Sequence, residues 1–221
     1  MTIIVLGAAG GLGRAVTARF RDDGAPVLAF DARVPAAGDQ QDGVSYVAVD
    51  ALDEGSVSAA FAAAPDAAAV VNLIGGYTPP QALAALDVGV LREQLELNLV
   101  SAAIVTKYAL PMLAARGGGA IVHVSSRVAR EKWETAFAYS VSKLGVVRLV
   151  EAAAAEGRDD GVRVNCILPS IIDTPANRAA LPAARHERWP KPAELAAVLS
   201  FLVSDDAVLI SGAAIPVYGR A

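Results

Sequence analysis

The stretch TIIVLGAAGGLG, residues Thr2–Gly13, joins a short β-branched apolar run to a turn rich in glycine. A run of this length, ended by glycines, is typical of a buried strand. The next segment, GLGRAVTARFRDDG, has apolar residues at helical spacing and ends at Gly24. The stretch therefore predicts a strand, a glycine-rich turn and a helix, in that order.

The same strand–helix unit repeats along the whole chain. The segments that read as strands are APVLAFD, VSYVAVD, AAAVVNLIGG, GGAIVHVSS, GVRVNCILP and GAAIPVY, with helical patterns between most of them. We expect a long helix from about Asp87 to Ala115, kinked or shortened near its end by Pro111. The alternation predicts one α/β domain over residues 1–221. Its architecture is a doubly wound, Rossmann-type parallel sheet with helices on both faces. A ligand crevice is expected at the carboxyl ends of the strands.

Composition limits the classes of function. The chain has 221 residues and a formal charge of −4 with no basic block, which argues against nucleic acid or an anionic membrane as partner. Apolar runs are broken before the roughly 18 residues that span a bilayer, and the N-terminus has no basic segment of a signal peptide. We therefore expect a soluble, cytoplasmic protein. Cys166 is alone, and neither His123 nor His186 has metal-ligand spacing, so no disulfide or metal is predicted.

The glycine turn predicts a site for a dinucleotide. Gly7, Gly11 and Gly13 permit a tight turn and close approach of a pyrophosphate to the helix N-terminus, although the same glycines could serve only strand–helix packing. Asp31 ends the second strand about 20 residues further on, where an acid hydrogen-bonds an adenosine ribose and repels the extra phosphate of NADP. NAD is therefore the expected cofactor, and Arg33 keeps NADP as the alternative. Asp50 is either an adenine ligand or a simple strand-end cap.

A tyrosine and a lysine lie one helical turn apart. Tyr139 and Lys143 are i and i+4, so both side chains project from one helix face. A nearby ammonium is expected to lower the pKa of the phenol toward the working pH, which suits general acid–base catalysis. Ser126 lies 13 residues earlier, at the end of an apolar strand, where its hydroxyl can stabilise a substrate oxygen. The three residues predict a catalytic group beside the glycine turn.

These motifs together resemble those of the short-chain dehydrogenase/reductase family over essentially the whole chain. The resemblance implies that Tyr139 passes a proton to a carbonyl that receives hydride, and that Lys143 also binds the nicotinamide ribose. LELNLVSA resembles the central-helix motif of the family, which gives Asn98 the role of holding a water between the lysine and solvent. The cofactor contacts implied are Gly7, Gly11, Leu12, Gly13, Asp31, Asp50, Ala51, Gly75, Tyr139, Lys143, Pro169 and Thr174.

Some segments depart from the family pattern. NLIGG replaces the usual NNAG, which retains Asn72 in an expected structural role, and the C-terminal YGR replaces DGG, so the chain end is expected to pack differently. The segment from LPSIIDTPANRAALP to WPKPAEL resembles dihydropteridine reductase, as does the pair Gly75–Gly76, although that enzyme lacks the serine present here as Ser126. For Trp189, Asn177 and Arg178, packing or surface roles and substrate contact both remain open.

The leading functional hypothesis is an NAD(P)-dependent oxidoreductase. It would move hydride between nicotinamide and a small carbonyl or alcohol, or a quinonoid ring. A dinucleotide sensor or scaffold without chemistry is the alternative, and a sugar-nucleotide epimerase of the extended type is a third possibility. Ser126, Tyr139, Lys143 and Asn98 occur together, which favours the enzyme because a sensor needs no tuned phenol. The family resemblance also implies a homodimer or homotetramer.

Overall fold

The architecture is a seven-stranded parallel sheet between two layers of helices. A computed structural model describes residues 1–221. The sheet order is β3-β2-β1-β4-β5-β6-β7, and every neighbouring pair is parallel. This order reverses between β1 and β4, which is the switch point where doubly wound sheets open a crevice. The strands are β1 Thr2–Leu6, β2 Val27–Asp31, β3 Val44–Ala48, β4 Ala67–Asn72, β5 Gly119–Val124, β6 Val162–Pro169 and β7 Ala214–Val217.

The helices cover both faces of the sheet, as the strand–helix alternation predicts. They are α1 Gly11–Asp22, α2 Glu54–Ala62, α3 Val88–Leu95, α4 Ser101–Ala115, α5 Phe137–Glu156, α6 Pro175–Ala180 and α7 Pro192–Val203. Side chains of α1 and α7 pack in a cluster of 17 buried residues on one face. Side chains of α2, α4 and α5 pack in a cluster of 23 on the other. Central strands are thus apolar on both faces, which explains their unbroken apolar sequences.

The central helix is continuous over Val88–Ala115 but contains a π-helical turn at Glu96–Val100. Pro111 lies inside α4 on its exposed side, and the helix still continues to Ala115, so the expected shortening is wrong. By length and composition this helix is long and apolar enough to cross a membrane. Uninterrupted apolar runs, the only ones considered in the sequence, do not identify it. In the structure it is a core helix, because Val105 and Leu113 are fully buried against the sheet.

The start of α1 lies unusually close to the end of β1. A Cβ atom at Gly13 would overlap the Gly7 carbonyl oxygen and lie 2.6 Å from the Ala8 carbonyl carbon. Gly7 itself has φ +75°, in the left-handed region that favours glycine. These two glycines therefore let the helix begin directly over the strand end, which brings its first amides to the crevice.

We predict that Gly13→Ala destabilises the protein by about 3 kcal/mol or more, because the new methyl group would meet backbone atoms that cannot rotate away. Urea denaturation of the cofactor-free protein measures this loss. Gly38→Ala is the matched control, since a Cβ atom there has nothing within 4 Å. Equal midpoints for Gly13→Ala and wild type would contradict the role given to this close approach.

Candidate active site

The predicted site residues meet at one edge of the sheet. Gly7 follows β1, Asp31 ends β2, Gly75 follows β4, Ser126 follows β5 and Pro169 ends β6. Parallel strands all present their carboxyl ends at the same edge, so these residues line a common crevice. Tyr139 and Lys143 reach it from the first turns of α5.

The N-terminus of α1 presents free amides to this crevice. Its N-cap is Gly10, which has no capping side chain, and its first turn has no acidic residue. The amides of Gly11, Leu12 and Gly13 donate to no acceptor in the chain. A Cβ atom at Gly11 would lie 3.1 Å from Thr174 Cγ2, so the α6 N-cap residue covers this turn. Free amides at a helix N-terminus fit a pyrophosphate, whose negative charge they stabilise.

Asp31 is fixed beside the glycine turn by two backbone amides. Its Oδ2 accepts a hydrogen bond from Ala9 N at 2.9 Å, and its Oδ1 accepts one from Arg33 N at 3.1 Å. The side chain of Arg33 is exposed and makes no ion pair. The two amides therefore hold a carboxylate at the end of β2, where a ribose of a dinucleotide would lie.

Asp50 has a local structural role in this structure. Its Oδ1 accepts a hydrogen bond from Leu52 N at 2.9 Å, and its own amide donates to Ser56 Oγ at 3.1 Å. Ala51 beside it is buried. These bonds fit the interpretation of Asp50 as a strand-end cap. Its Oδ2 has no hydrogen-bond partner in the chain.

Asn98 joins three segments of the site. It lies on the π-helical turn and is 1% exposed. Its Nδ2 donates to Gly76 O at 3.0 Å and to Ser142 Oγ at 3.1 Å, and its Oδ1 accepts from Gly76 N at 2.9 Å. A Cβ atom at Gly75 would lie 2.6 Å from both Asn98 Oδ1 and Lys143 Nζ. The glycine therefore allows the amide and the ammonium to converge on the loop after β4.

The Lys143 ammonium is buried and has one acceptor in the chain. Its Nζ donates to Val124 O at 3.0 Å, and the side chain is 4% exposed. Burial lowers its pKa to about 8, because a buried charge loses hydration. Its position is set further by Ser125 Oγ, which donates to Lys143 O at 2.7 Å.

The Tyr139 pKa shifts in the opposite direction to the one expected from the sequence. Burial raises it most, the Ser126 hydroxyl acts to lower it, and Tyr77 raises it further. The predicted lowering by Lys143 is absent because desolvation dominates and the ammonium is directed to Val124 O. The phenol is thus in its neutral, proton-donating form at neutral pH.

A buried polar chain supports the loop after β4. Asn72 Nδ2 lies 3.2 Å from His123 Nδ1, and Thr106 Oγ1 lies 3.0 Å from His123 Nε2. Thr106 Oγ1 donates to Ala102 O at 2.7 Å, so it accepts from His123, whose proton is therefore on Nε2. Asn72 Oδ1 accepts from Ile74 N at 3.1 Å. His123 is a hydrogen-bonded core residue, and Asn72 has the structural role expected from the sequence.

The segment between β6 and α7 is held largely by its own contacts. Arg178 pairs with Asp173, with 2.9 Å between Nη2 and Oδ2, and Asn177 Nδ2 donates to Ile172 O at 2.8 Å. Trp189 is 7% exposed and packs against a histidine ring. These contacts favour the packing interpretation that the sequence left open for the three residues.

The chain end packs against the same part of the molecule. The guanidinium of Arg127 lies 4.9 Å from the Tyr218 ring centroid, and Arg188 Nε donates to Arg220 O at 2.6 Å. Ser170 Oγ donates to Tyr218 O at 2.7 Å. The altered C-terminal sequence therefore ties the segment after Ser126 to the segment before α7.

Sequence reasoning missed two residues of the site. Gln94 is buried and its Oε1 accepts from Asn98 Nδ2 at 3.2 Å. Its position four residues before Asn98 was a readable signal, since i and i+4 share a helix face. Tyr77 packs perpendicular to Tyr139 with 5.2 Å between ring centroids. It lies in a loop, where no periodicity marks such a contact.

The crevice, the free amides and the buried lysine fit an enzyme that binds a dinucleotide, and comparisons with known proteins identify its family. A family model described as enoyl-(acyl carrier protein) reductase matches residues 7–219. The cis-4-hydroxycyclohexanecarboxylate dehydrogenase of Sinomonas cyclohexanicum is 34% identical over 98% of this chain and 94% of its own. A short-chain dehydrogenase/reductase structure from Burkholderia thailandensis superposes with a TM-score of 0.89 at 29% identity, covering 99% of this chain and 91% of that one.

The chain therefore belongs to the short-chain dehydrogenase/reductase family. Like other members of that family, it is an oxidoreductase that uses a nicotinamide cofactor and acts on small alcohol or carbonyl substrates. Solved structures of the same fold hold NADH in one case and NADP in another. The relatives are dehydrogenases and reductases, which supports the oxidoreductase over the sensor and epimerase alternatives.

Because His123 is buried, we predict that the free energy of unfolding falls in acid. Burial, and secondarily Lys143, lower its pKa from 6.5 to about 4. Between these values the unfolded chain binds the proton and the folded chain does not, so stability falls as pH drops from 6.5 toward 4, by up to about 3 kcal/mol.

Urea denaturation at several pH values tests this. His123→Gln should flatten the dependence of the free energy of unfolding on pH between 6.5 and 4. His186→Gln is the control and should keep this dependence, since His186 lies outside the buried hydrogen-bonded chain. An equally steep slope in His123→Gln would show that other groups cause the acid sensitivity.

Proposed function

We propose that the protein interconverts a small secondary alcohol and its ketone with NAD, and that Ser126, Tyr139, Lys143 and Asn98 carry the chemistry. The strongest support is that the Asn98 amide and the Lys143 ammonium converge on Gly75. Lys143 lies one helical turn from Tyr139 on α5. The relative named for a hydroxycyclohexanecarboxylate supports an alcohol of this type. A quinonoid ring stays within the substrate class because of the dihydropteridine reductase resemblance.

Each residue has a distinct task in this proposal. The bound nicotinamide supplies or accepts the hydride. Tyr139, which is neutral and carries its proton at neutral pH, donates that proton to the carbonyl oxygen during reduction. Ser126 Oγ donates a hydrogen bond to the same oxygen and stabilises the charge that develops there. Lys143 stabilises the phenolate that remains and binds the nicotinamide ribose, while Asn98 holds the loop that borders both.

The choice of NAD over NADP rests on Asp31. Its two amide bonds keep a negative charge at the end of β2, where the 2′-phosphate of NADP would be repelled. The free amides of Gly11, Leu12 and Gly13 would take the pyrophosphate. Other proposed cofactor contacts are Ala51 and Asp50 near the adenine, and Gly75, Pro169 and Thr174 near the nicotinamide half.

The remaining properties follow from the same assignment. We propose a single domain over residues 1–221 that acts on a small molecule in the cytoplasm, with no metal, nucleic acid or membrane partner. Exposed apolar residues on α5 and α7, Leu144 and Phe201 among them, support assembly as a homodimer or homotetramer.

The catalytic roles predict a pattern in three variants. Tyr139→Phe should lower turnover by about 10²–10⁴-fold and leave NADH affinity near normal, because only the proton donor is lost. Ser126→Ala should slow the chemical step and spare NADH binding, and Lys143→Ala should impair both. Steady-state kinetics with NADH and a panel of ketones, aldehydes, quinones and dihydropterins measures turnover, and calorimetry measures affinity. Near-normal turnover of Tyr139→Phe on a substrate of the wild type would refute the mechanism.

The cofactor assignment predicts a switch at Asp31. The wild type should bind NADH more tightly than NADPH, and Asp31→Ala should shift the ratio of the two dissociation constants toward NADPH by roughly tenfold, the effect of about 1.4 kcal/mol. Asp39→Ala is the control, an exposed carboxylate outside the proposed site. Tighter binding of NADPH by the wild type would instead identify Arg33 as a phosphate ligand.

A further inference from the structure

An exposed aromatic ring contacts the proposed proton donor. Tyr77 follows the Gly75–Gly76 pair, and its ring stands at 90° to that of Tyr139, with 5.2 Å between centroids. This is the favoured edge-to-face arrangement of two aromatic rings. Tyr77 is nevertheless 61% exposed. The exposed part of the ring is available to contact a molecule that reaches Tyr139.

The backbone holds Tyr77 in place from both sides. On the amino side, Gly76 is bonded through both its N–H and its carbonyl to Asn98. On the carboxyl side, Gln81 N donates to Thr135 O at 2.7 Å, and Gln81 forms a parallel bridge with Ala136. Thr135 has φ +61°, a strained conformation for a residue with a branched Cβ. Such strain is maintained where the surrounding contacts require it, so the loop is fixed against the start of α5.

The same loop packs against the start of α5 around a narrow gap beside the proposed proton donor. This gap has a volume of about 10 Å³, room for about one water, and is lined by Tyr139 with Thr78, Gln81, Val90 and Ala136. The lining residues carry no formal charge. A substrate whose oxygen reaches the Tyr139 hydroxyl therefore lies outside this gap, beside the exposed ring of Tyr77.

From this placement we infer that Tyr77 is a specificity-determining residue that selects flat or cyclic carbon skeletons by ring contact. The inference rests on the proposed function, because it takes Tyr139 as the group that meets the substrate oxygen. An aromatic face contacts a six-membered ring over more area than it contacts a flexible chain, and a rigid ring loses less entropy on binding. Selection should therefore act on binding and leave the proton transfer by Tyr139 largely unchanged.

The test compares ring and chain substrates in Tyr77 variants. With NADH, Tyr77→Ala should raise KM for cyclohexanone roughly two- to tenfold, the range expected for one aromatic contact, with kcat within about twofold of wild type. KM for 2-hexanone should change less than about twofold. Tyr77→Phe should behave like wild type, since it keeps the ring, and Tyr77→Leu provides an apolar variant if Tyr77→Ala folds poorly. Leu209→Ala removes an exposed apolar side chain outside the proposed site and should change KM for neither substrate.

A binding measurement separates this inference from the proposed function. Phenol is a flat ring alcohol that cannot be oxidised to a ketone, and its affinity for the NAD⁺ complex is measured by calorimetry. Tyr77→Ala and Tyr77→Leu should weaken phenol by the same two- to tenfold, whether or not any ketone is turned over. The inference would be overturned by unchanged phenol affinity in these variants or by equal increases of KM for cyclohexanone and 2-hexanone. It would also be overturned if the wild type reduced only 2-hexanone, or if Tyr77→Phe were as impaired as Tyr77→Ala. Failure of the proposed function would be seen in a different experiment, as normal turnover of the Tyr139→Phe variant.

Discussion

The hydrogen bonds of Asn98 are the constraint on which the site depends. They join the loop after β4 to the central helix and to α5, through Gly76 and Ser142. The π-helical turn makes this possible, because one extra residue rotates the following side chains by about 100° relative to a regular helix. Asn98 lies in this turn, so the attachment of the loop that carries Tyr77 depends on it on one side.

Electrostatics set the state of the site before a ligand binds. The Lys143 ammonium has three N–H donors, and in the chain only Val124 O accepts from it. Burial of such a charge costs stability, and this cost is what lowers its pKa to about 8. A ligand that offers further oxygen acceptors would relieve the same cost, so the proposed binding of a ribose at Lys143 would also stabilise the lysine. Burial also raises the pKa of Tyr139, and this effect outweighs the opposing effect of the Ser126 hydroxyl.

The sequence predicts the fold because parallel strands buried on both faces leave unbroken apolar runs. All seven strands and the order of the helices follow from those runs, and strand ends place Gly7, Asp31 and Ser126 at one edge. The π-helical turn was not predictable, since its local sequence ELNLV has no breaker residue. The sequence also does not predict the contact of Tyr77 with Tyr139 or the direction in which the pKa of Tyr139 shifts. Both depend on how a loop folds back and on how much water the folded chain excludes.

Polar groups near the crevice differ in whether they remain free to bind a ligand. In the segment before α7, Asp173 and Arg178 satisfy each other, and Arg188 donates to the Arg220 carbonyl. These side chains hold the segment together, so using them to bind substrate charge would first break internal bonds. The Tyr77 ring has no such commitment beyond its edge contact. Recognition of a substrate by shape and ring contact therefore costs the protein less than recognition by charge, and this explains why selectivity is expected on the β4 side of the crevice.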